Sequence, residues 1–160
     1  MQSKQELENW YSVNDPWQYE TTPDDQKRKD IIIKAIKENC GSLLSILDIG
    51  AGEGWVTKDL PAERIAGIEL SDKARERMPE WIERAKLPNK FDAVISTGTL
   101  YSQYDHKKIA EQIKESATKY IIISGIKDWL IDYDFGKIIY QTEFPYREYT
   151  QKLTIYEISS

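Results

Sequence analysis

The stretch that decides the fold is Leu-Asp-Ile-Gly-Ala-Gly-Glu-Gly, residues 47–54, which directly follows the mostly apolar run at 43–46. A short apolar run that ends in alternating glycines predicts a buried strand that turns sharply into a helix start. Glycine suits such a turn because it permits positive φ and lets a ligand approach the backbone closely. Unpaired backbone N–H groups at the following helix start would add to the site. The pattern therefore predicts a nucleotide-binding turn.

The spacing of the glycines narrows the choice of ligand. In the dinucleotide fingerprint the third small residue allows close packing of helix and strand, and counting from Gly50 this position holds the large Trp55. The pyrophosphate of a nicotinamide cofactor is therefore disfavoured. A second apolar run at 65–68 leads to Glu69, 19 residues after Gly50, where an acidic side chain can bond a ribose diol.

Together, the motif at 47–54 and Ile-Ala-Gly-Ile-Glu-Leu-Ser at 65–71 resemble the first two motifs of the class I S-adenosylmethionine-dependent methyltransferases. The resemblance implies an α/β fold with a doubly wound, mostly parallel Rossmann-like sheet and a C-terminal antiparallel hairpin. It also implies that the glycine loop lies under the methionine part of S-adenosyl-L-methionine and that Glu69 holds the ribose hydroxyls.

A second resemblance involves the N-terminal segment, which contains Tyr-Ser-Val-Asn-Asp-Pro-Trp-Gln-Tyr at residues 11–19. This pattern is similar to the D-P-W-x-(Y/F) segment of small-molecule methyltransferases such as the nodulation-type N-methyltransferases that modify chitooligosaccharides. In those enzymes the segment folds over the cofactor, so residues 1–23 are predicted to form an arm or lid. The alternative is that Trp17 and Tyr19 only cover the edge of a core.

The resemblance predicts cofactor contacts from the arm, the first long helix, the glycine loop and the ends of two strands. The residues are Tyr11, Trp17, Arg28, Asp48, Gly50, Ala51, Gly52, Glu53, Glu69, Leu70, Ser96, Thr97 and Gly98. The alternative for Arg28 is an exposed, charged helix face. Methyl transfer depends on alignment of the two reactants and needs no dedicated nucleophile.

The candidate catalytic residues are Tyr101 and His106, which follow the strand Phe-Asp-Ala-Val-Ile-Ser at 91–96. An unperturbed imidazole pKa of about 6.5 suits a general base. The alternative for His106 is a solvated histidine in the first turn of a polar helix. One cysteine and one histidine exclude the usual thiolate or imidazole metal clusters, so no metal is expected.

Periodicity and turn signals outline the remaining elements. They predict helices at 24–40, at 55–60 and from Asp105 to about 118, with strands at 65–70, 91–96, 120–126, 137–144 and 152–158, the last two joined by a turn region at Pro145-Tyr146. Over residues 71–86 the sequence predicts a helical stretch that is interrupted at Pro79. Residues 79–85, after the interruption, are also predicted to be helical. No clear third strand is visible, which indicates a reduced one.

Length and charge limit the class of protein. The 160 residues fit a single domain, and a net charge of -5 gives no general attraction for nucleic acid. A single cysteine and an N-terminus without an apolar core predict a cytoplasmic protein without membrane segments. The predicted function is transfer of a methyl group to nitrogen or oxygen of a small molecule. The alternatives are a catalytically inactive S-adenosylmethionine-binding protein and an NAD-dependent oxidoreductase; the oligomeric state is left open.

Overall fold

The structure, a computed structural model that describes residues 3–158, is built around a seven-stranded sheet in the order β3-β2-β1-β4-β5-β7-β6. The strands are β1 Leu43–Ile49, β2 Ala62–Ile68, β3 Glu83–Arg84, β4 Phe91–Thr97, β5 Ala117–Ile126, β6 Lys137–Tyr146 and β7 Tyr149–Glu157. The helices are α1 Lys4–Trp10, α2 Pro23–Asn39, α3 Asp72–Arg77 and α4 His106–Ser116.

Strands β1 to β5 pair in parallel, whereas β7 runs antiparallel to both β5 and β6. The prediction of a mostly parallel Rossmann-like sheet with an antiparallel C-terminal hairpin is therefore confirmed. Because β1 lies between β2 and β4, the connections from β1 and from β4 leave in opposite directions along the sheet. Open α/β sheets bind ligands at this switch point, outside the carboxyl ends of the strands.

Each face of the sheet is covered by one long helix. On α2 the apolar positions Ile32, Ala35 and Ile36 are buried and join one core cluster with β1, β4 and β7. On α4 the buried positions Ala110 and Ile113 join a second cluster on the opposite face. The spacing of three and four residues in α2 places its apolar side chains on one face of the helix, as the sequence predicts.

The prediction of a helix at 79–85 is wrong. Helix α3 ends at Arg77, and Met78 is extended, as a residue before proline prefers. The Arg84 guanidinium donates hydrogen bonds to four backbone carbonyls around this break in the helix. These carbonyls belong to Arg75, Met78, Pro79 and Ile82, at 2.6 to 2.7 Å.

The reduced third strand lies within this same segment. Glu83 and Arg84 pair in parallel with Ala66 and Gly67 of β2 and form the edge of the sheet. Two residues are too few for an apolar periodicity, so the pattern alone does not locate the strand.

Other elements also differ from the prediction. The helix expected at 55–60 is a single 3₁₀ turn at Thr57–Asp59, and the hairpin turns at Arg147 and Glu148, after the predicted Pro145-Tyr146 region. The N-terminal arm carries helix α1, whose N-cap Ser3 accepts a hydrogen bond from the Glu6 backbone N–H.

Candidate functional site

The carboxyl ends of the parallel strands border a cavity of about 980 Å³, at the upper end of the range of about 300–1,000 Å³ for small-molecule sites. One side, the glycine-loop side, is formed by residues 48–56 with Glu69 and Leu70. The other side, the hairpin side, is formed by Tyr101, Ser124, Ile126, Trp129, Tyr146 and Gln151.

The glycine loop is held in place by backbone hydrogen bonds to the end of β2. The N–H groups of Gly50 and Ala51 donate to the carbonyl of Ile68 at 2.9 and 3.0 Å. At Gly52 the φ angle is +60°, and a Cβ there would lie 2.9 Å from the Tyr11 hydroxyl oxygen. Because an L side chain is strained at this φ and would also meet Tyr11, the position requires glycine.

Glu69 lies at the end of β2 and connects two elements of the cavity wall. Its Oε1 accepts from the Gly52 N–H and its Oε2 from the Ser71 N–H, both at 2.8 Å. Burial raises the pKa of this carboxyl, and the backbone hydrogen bonds act in the opposite direction. Each oxygen has a second lone pair, so the carboxylate can accept further hydrogen bonds from a ligand.

Asp48 is a buried carboxylate with a hydrogen-bond partner for only one of its two oxygens among the described residues. Its Oδ2 accepts a hydrogen bond from Thr57 Oγ1 at 2.8 Å, whereas its Oδ1 has no partner among the described residues. Burial raises its pKa to about 7. A buried acceptor without a partner is costly, and since Asp48 lines the cavity, a cationic ligand group would satisfy it.

Arg28 provides the opposite charge in the same cavity wall. Its guanidinium is buried between the rings of Tyr19 and Tyr146, with its carbon 5.1 and 5.8 Å from the two ring centroids. Its Nε lies 3.5 Å from Asp25 Oδ1 but has no hydrogen-bond partner within residues 3–158. Asp25 already accepts from the Tyr146 hydroxyl at 2.6 Å and from Arg147 at 2.6 Å. The Arg28 donors thus remain available to a ligand anion.

The N-terminal arm packs over the glycine-loop side. The Asp15 N–H donates to Glu53 Oε1 at 2.8 Å, and Arg77 donates both to the Val13 carbonyl and to Glu53 Oε2. Side-chain oxygens of Asp15 accept from two backbone N–H groups within the arm itself. Asp15 and Glu53 therefore fix the shape and attachment of the arm.

The arm's aromatic residues form a continuous packed group. Trp17 donates from Nε1 to the Tyr11 hydroxyl at 3.1 Å, and its ring lies 5.0 Å from that of Trp10 and 6.3 Å from that of Tyr19. At its other end, the Trp17 carbonyl accepts a hydrogen bond from Arg147 in the hairpin turn. The arm thus contacts both sides of the cavity.

On the hairpin side, two tyrosine hydroxyls form hydrogen bonds with other groups of the protein. Tyr101 accepts at its hydroxyl from the Ile126 N–H at 2.7 Å, and Tyr146 donates to Asp25. Desolvation raises the pKa of Tyr101 to about 12, so at neutral pH its phenol is protonated.

Most of the residues predicted from the sequence line this cavity. They are Tyr11, Trp17, Arg28, Asp48, Gly50, Ala51, Gly52, Glu53, Glu69, Leu70, Thr97, Gly98 and Tyr101. The two others lie away from its lining. Ser96 is buried behind it and donates to the Ile49 carbonyl at 2.7 Å. His106 is half-buried, with its Nδ1 2.6 Å from the Tyr133 hydroxyl.

Sequence reasoning missed several lining residues: Tyr19, Ser124, Ile126, Trp129, Tyr146 and Gln151. No sequence pattern pointed to Gln151, because its place opposite Ile126 follows from the register of β5 and β7. Its side chain is 4 % exposed, and buried polar side chains usually have a specific partner.

Within residues 3–158 there is no group of three or more histidine, cysteine, aspartate or glutamate side chains that could hold a metal ion. None of the described helices is long and apolar enough to span a bilayer.

Two solved structures with this fold contain S-adenosylmethionine or its demethylated form, S-adenosyl-L-homocysteine. The structure of the N-methyltransferase NodS from Bradyrhizobium japonicum WM9 with S-adenosyl-L-homocysteine is 15% identical, with a TM-score of 0.80 over 98% of both chains. Magnesium protoporphyrin IX methyltransferase (ChlM) from Synechocystis PCC 6803 with bound S-adenosylmethionine is 16% identical, with a TM-score of 0.72 over 99% of this chain and 98% of that one. No curated protein sequence matches the chain.

The fold is the Rossmann-like fold of these S-adenosylmethionine-dependent methyltransferases. A family model described as nodulation protein S (NodS) matches residues 1–121, about three quarters of the sequence. The chain belongs to this NodS family.

Proposed function

We propose that this methyltransferase transfers a methyl group from S-adenosylmethionine to nitrogen or oxygen of a small molecule. One observation carries the proposal: Asp48 and Arg28 are buried, oppositely charged and incompletely bonded, and they line one cavity beside the glycine loop. The amino-acid end of the cofactor has a matching ammonium and carboxylate. With the cofactor bound, Asp48 Oδ1 would accept from the ammonium and Arg28 would donate to the carboxylate.

The ribose is assigned to Glu69. Its oxygens are fixed by the Gly52 and Ser71 N–H groups at 2.8 Å and keep lone pairs for the two ribose hydroxyls. The fixed geometry supports this role because the carboxylate loses little freedom when the ligand binds.

The cofactor, when bound, supplies an electrophilic methyl group on a sulfonium centre. The protein's share of the catalysis is alignment of the acceptor with that methyl and exclusion of water, and alignment is worth about 7–11 kcal/mol. Tyr101 stands at the exit of β4 with its hydroxyl positioned by the Ile126 N–H. With a pKa near 12, its phenol acts at neutral pH as a hydrogen-bond donor to the acceptor.

His106 remains a prediction as a general base. Its imidazole lies beside Tyr133 outside the cavity lining, so a role in proton transfer requires a relay through that side chain. A His106→Ala variant with an unchanged pH profile of kcat would remove it from the mechanism, whereas loss of an ionisation from that profile would support it.

We also propose that the arm at 1–23 belongs to the single domain of residues 1–160 and acts as a lid. Its attachments to Glu53, Arg77 and Arg147 support this role, since they lie on opposite sides of the cavity mouth. Closure of a lid sequesters a reaction from water.

The proposed acceptor is a small molecule and not nucleic acid, which the net charge of -5 supports. A cytoplasmic location is part of the same proposal. The single cysteine, Cys40, is a free thiol, as is usual in a reducing compartment.

The test is a calorimetric titration with S-adenosylmethionine, S-adenosylhomocysteine and NAD, followed by incubation with methyl-labelled cofactor and a pool of small metabolites. We expect S-adenosylmethionine and S-adenosylhomocysteine to bind, NAD not to bind, and the methyl label to be transferred to an acceptor. Binding without label transfer to any acceptor would favour an inactive cofactor-binding protein. Binding of NAD alone would overturn the proposal.

A further inference from the structure

The hairpin side contains one polar group that the proposed reaction does not use. Gln151 lies on β7, opposite Ile126 of β5, and its side chain is 4 % exposed. One end of its amide is held by Ser124, whose Oγ donates to Oε1 at 3.4 Å. The amide nitrogen has no hydrogen-bond partner among residues 3–158 and, since Gln151 lines the cavity, faces a potential ligand.

The surroundings of this amide are aromatic. The ring of Tyr101 packs edge-on against Trp129 at 5.7 Å and is stacked with Tyr104 at 6.3 Å. The Ile126 N–H donates to the Tyr101 hydroxyl and the Tyr146 hydroxyl donates to Asp25, so the Tyr101 hydroxyl keeps its own proton for a ligand while both residues also offer ring surface. Aromatic ring surface favours a flat partner that stacks on it.

None of the six side chains that form this side is ionisable near neutral pH. Arg28 lies over the Tyr146 ring, but the proposed function pairs it with the cofactor's carboxylate; Asp105 and Lys108 line the cavity outside this set of six. A charged ligand group placed against these six side chains would lose its hydration without gaining a counter-ion from them. A neutral group with an oxygen or ring-nitrogen lone pair would instead receive the free Gln151 N–H.

We propose that Gln151 determines acceptor specificity and that the acceptor is a neutral, flat-ring compound with a hydrogen-bond acceptor directed at this amide. The proposal rests on the proposed function, which places the cofactor on the glycine-loop side. Ser124 positions the amide, and the aromatic residues hold the ring.

The experiment measures binding of three ring probes to the protein saturated with S-adenosylhomocysteine. Benzamide, benzoate and benzylammonium carry neutral, negative and positive groups on the same ring. Benzamide is expected to bind best, and Gln151→Leu should weaken it roughly ten-fold because a buried hydrogen bond is lost. In Gln151→Glu the preference should shift toward benzylammonium, since a carboxylate replaces the amide.

The matched control is Gln141→Glu, the same change on β6, where the side chain is exposed, bonds Thr154 and lies outside the cavity lining. Gln141→Glu should leave the order of affinities for the three probes unchanged. Equal binding of all three probes, or an unchanged preference in both Gln151 variants, would overturn the proposal. The proposed function would still stand in that case as long as S-adenosylhomocysteine binds, so the two failures are distinguishable.

Discussion

The two sides of the cavity are built in different ways. The glycine-loop side comes mostly from one continuous stretch, residues 48–56, completed by Glu69 on the neighbouring strand. The hairpin side is assembled from side chains in the β4 exit, β5, the following loop and both strands of the hairpin. Under the proposed function, most cofactor recognition comes from one local motif, with Arg28 and the arm as exceptions, whereas recognition of the acceptor depends on how distant strands pair.

The largest loss of cofactor affinity is expected from a side chain placed in the glycine loop. We expect Gly52→Val to weaken S-adenosylhomocysteine binding by about 100-fold or more, because a branched side chain would occupy the space in which the cofactor approaches the backbone. The new side chain would also meet the Tyr11 hydroxyl oxygen, which lies 2.9 Å from the position of a Cβ. Calorimetry measures the loss.

The control for this variant is Gly41→Val at the end of α2. Its φ of +62° matches that of Gly52, but no atom lies within 4 Å of its Cβ position. Both variants should lose stability, and only Gly52→Val should lose binding. Equal affinity in the two variants would mean that the loop has only a structural role.

The next largest effect is expected at Asp48. Asp48→Asn keeps the side-chain shape and removes the charge that faces the cofactor's ammonium, so affinity should fall by about 10- to 100-fold. The loss should be greatest at pH 8 and should shrink as the pH falls below about 7, where the wild-type carboxyl becomes protonated. A pH-independent affinity in the wild type would contradict the assignment.

Without ligand, the same substitution should change the pH dependence of stability. The pKa of Asp48 is raised from 3.8 to about 7 in the folded protein. Its contribution to stability is therefore fully present below about pH 4 and is lost as the pH rises through 7. Between pH 4 and pH 8, the melting temperature of Asp48→Asn should fall less than that of the wild type. Parallel melting curves would show that this carboxyl does not titrate as proposed.

A smaller effect is expected from the arm, which contacts both sides. Limited proteolysis should cut between Trp10 and Asp25 and should slow several-fold when S-adenosylhomocysteine is added, because the lid closes on the ligand. Trp17→Ala should abolish this protection, since Trp17 packs on Trp10 and Tyr19 and bonds Tyr11. Trp81→Ala, at a side chain 61% exposed, is the control. Equal cleavage with and without ligand would mean that the aromatic residues only cover a core edge.

The contrast between the two sides also explains what the sequence can predict. Gly52 and Glu69 are recognisable because their roles depend on residue type and on a short, fixed spacing. The binding role of Arg28 can be predicted only from the resemblance to a known family, because its partners Tyr19 and Tyr146 come from the arm and the hairpin. The position of Gln151 depends on the β5–β7 register, which no local pattern specifies.

Two local features limit prediction even near the motifs. At the end of β4, adjacent residues point to opposite faces of the sheet, so Thr97 lines the cavity while Ser96 is buried behind it. At the sheet edge, Arg84 bonds four carbonyls with its side chain. A helical pattern at 79–85 gives no sign of this alternative to backbone hydrogen bonding.

The division between the two sides is tested most directly by titrating S-adenosylhomocysteine into the wild type, Glu69→Ala and Gln151→Leu. Glu69→Ala removes a charged hydrogen-bond partner of the ribose, a loss of about 1.5–3 kcal/mol, or roughly ten-fold or more in affinity. Gln151→Leu changes only the hairpin side and should bind like the wild type. A folded Glu69→Ala protein with unchanged affinity, or a Gln151→Leu protein with an equal loss, would contradict the account.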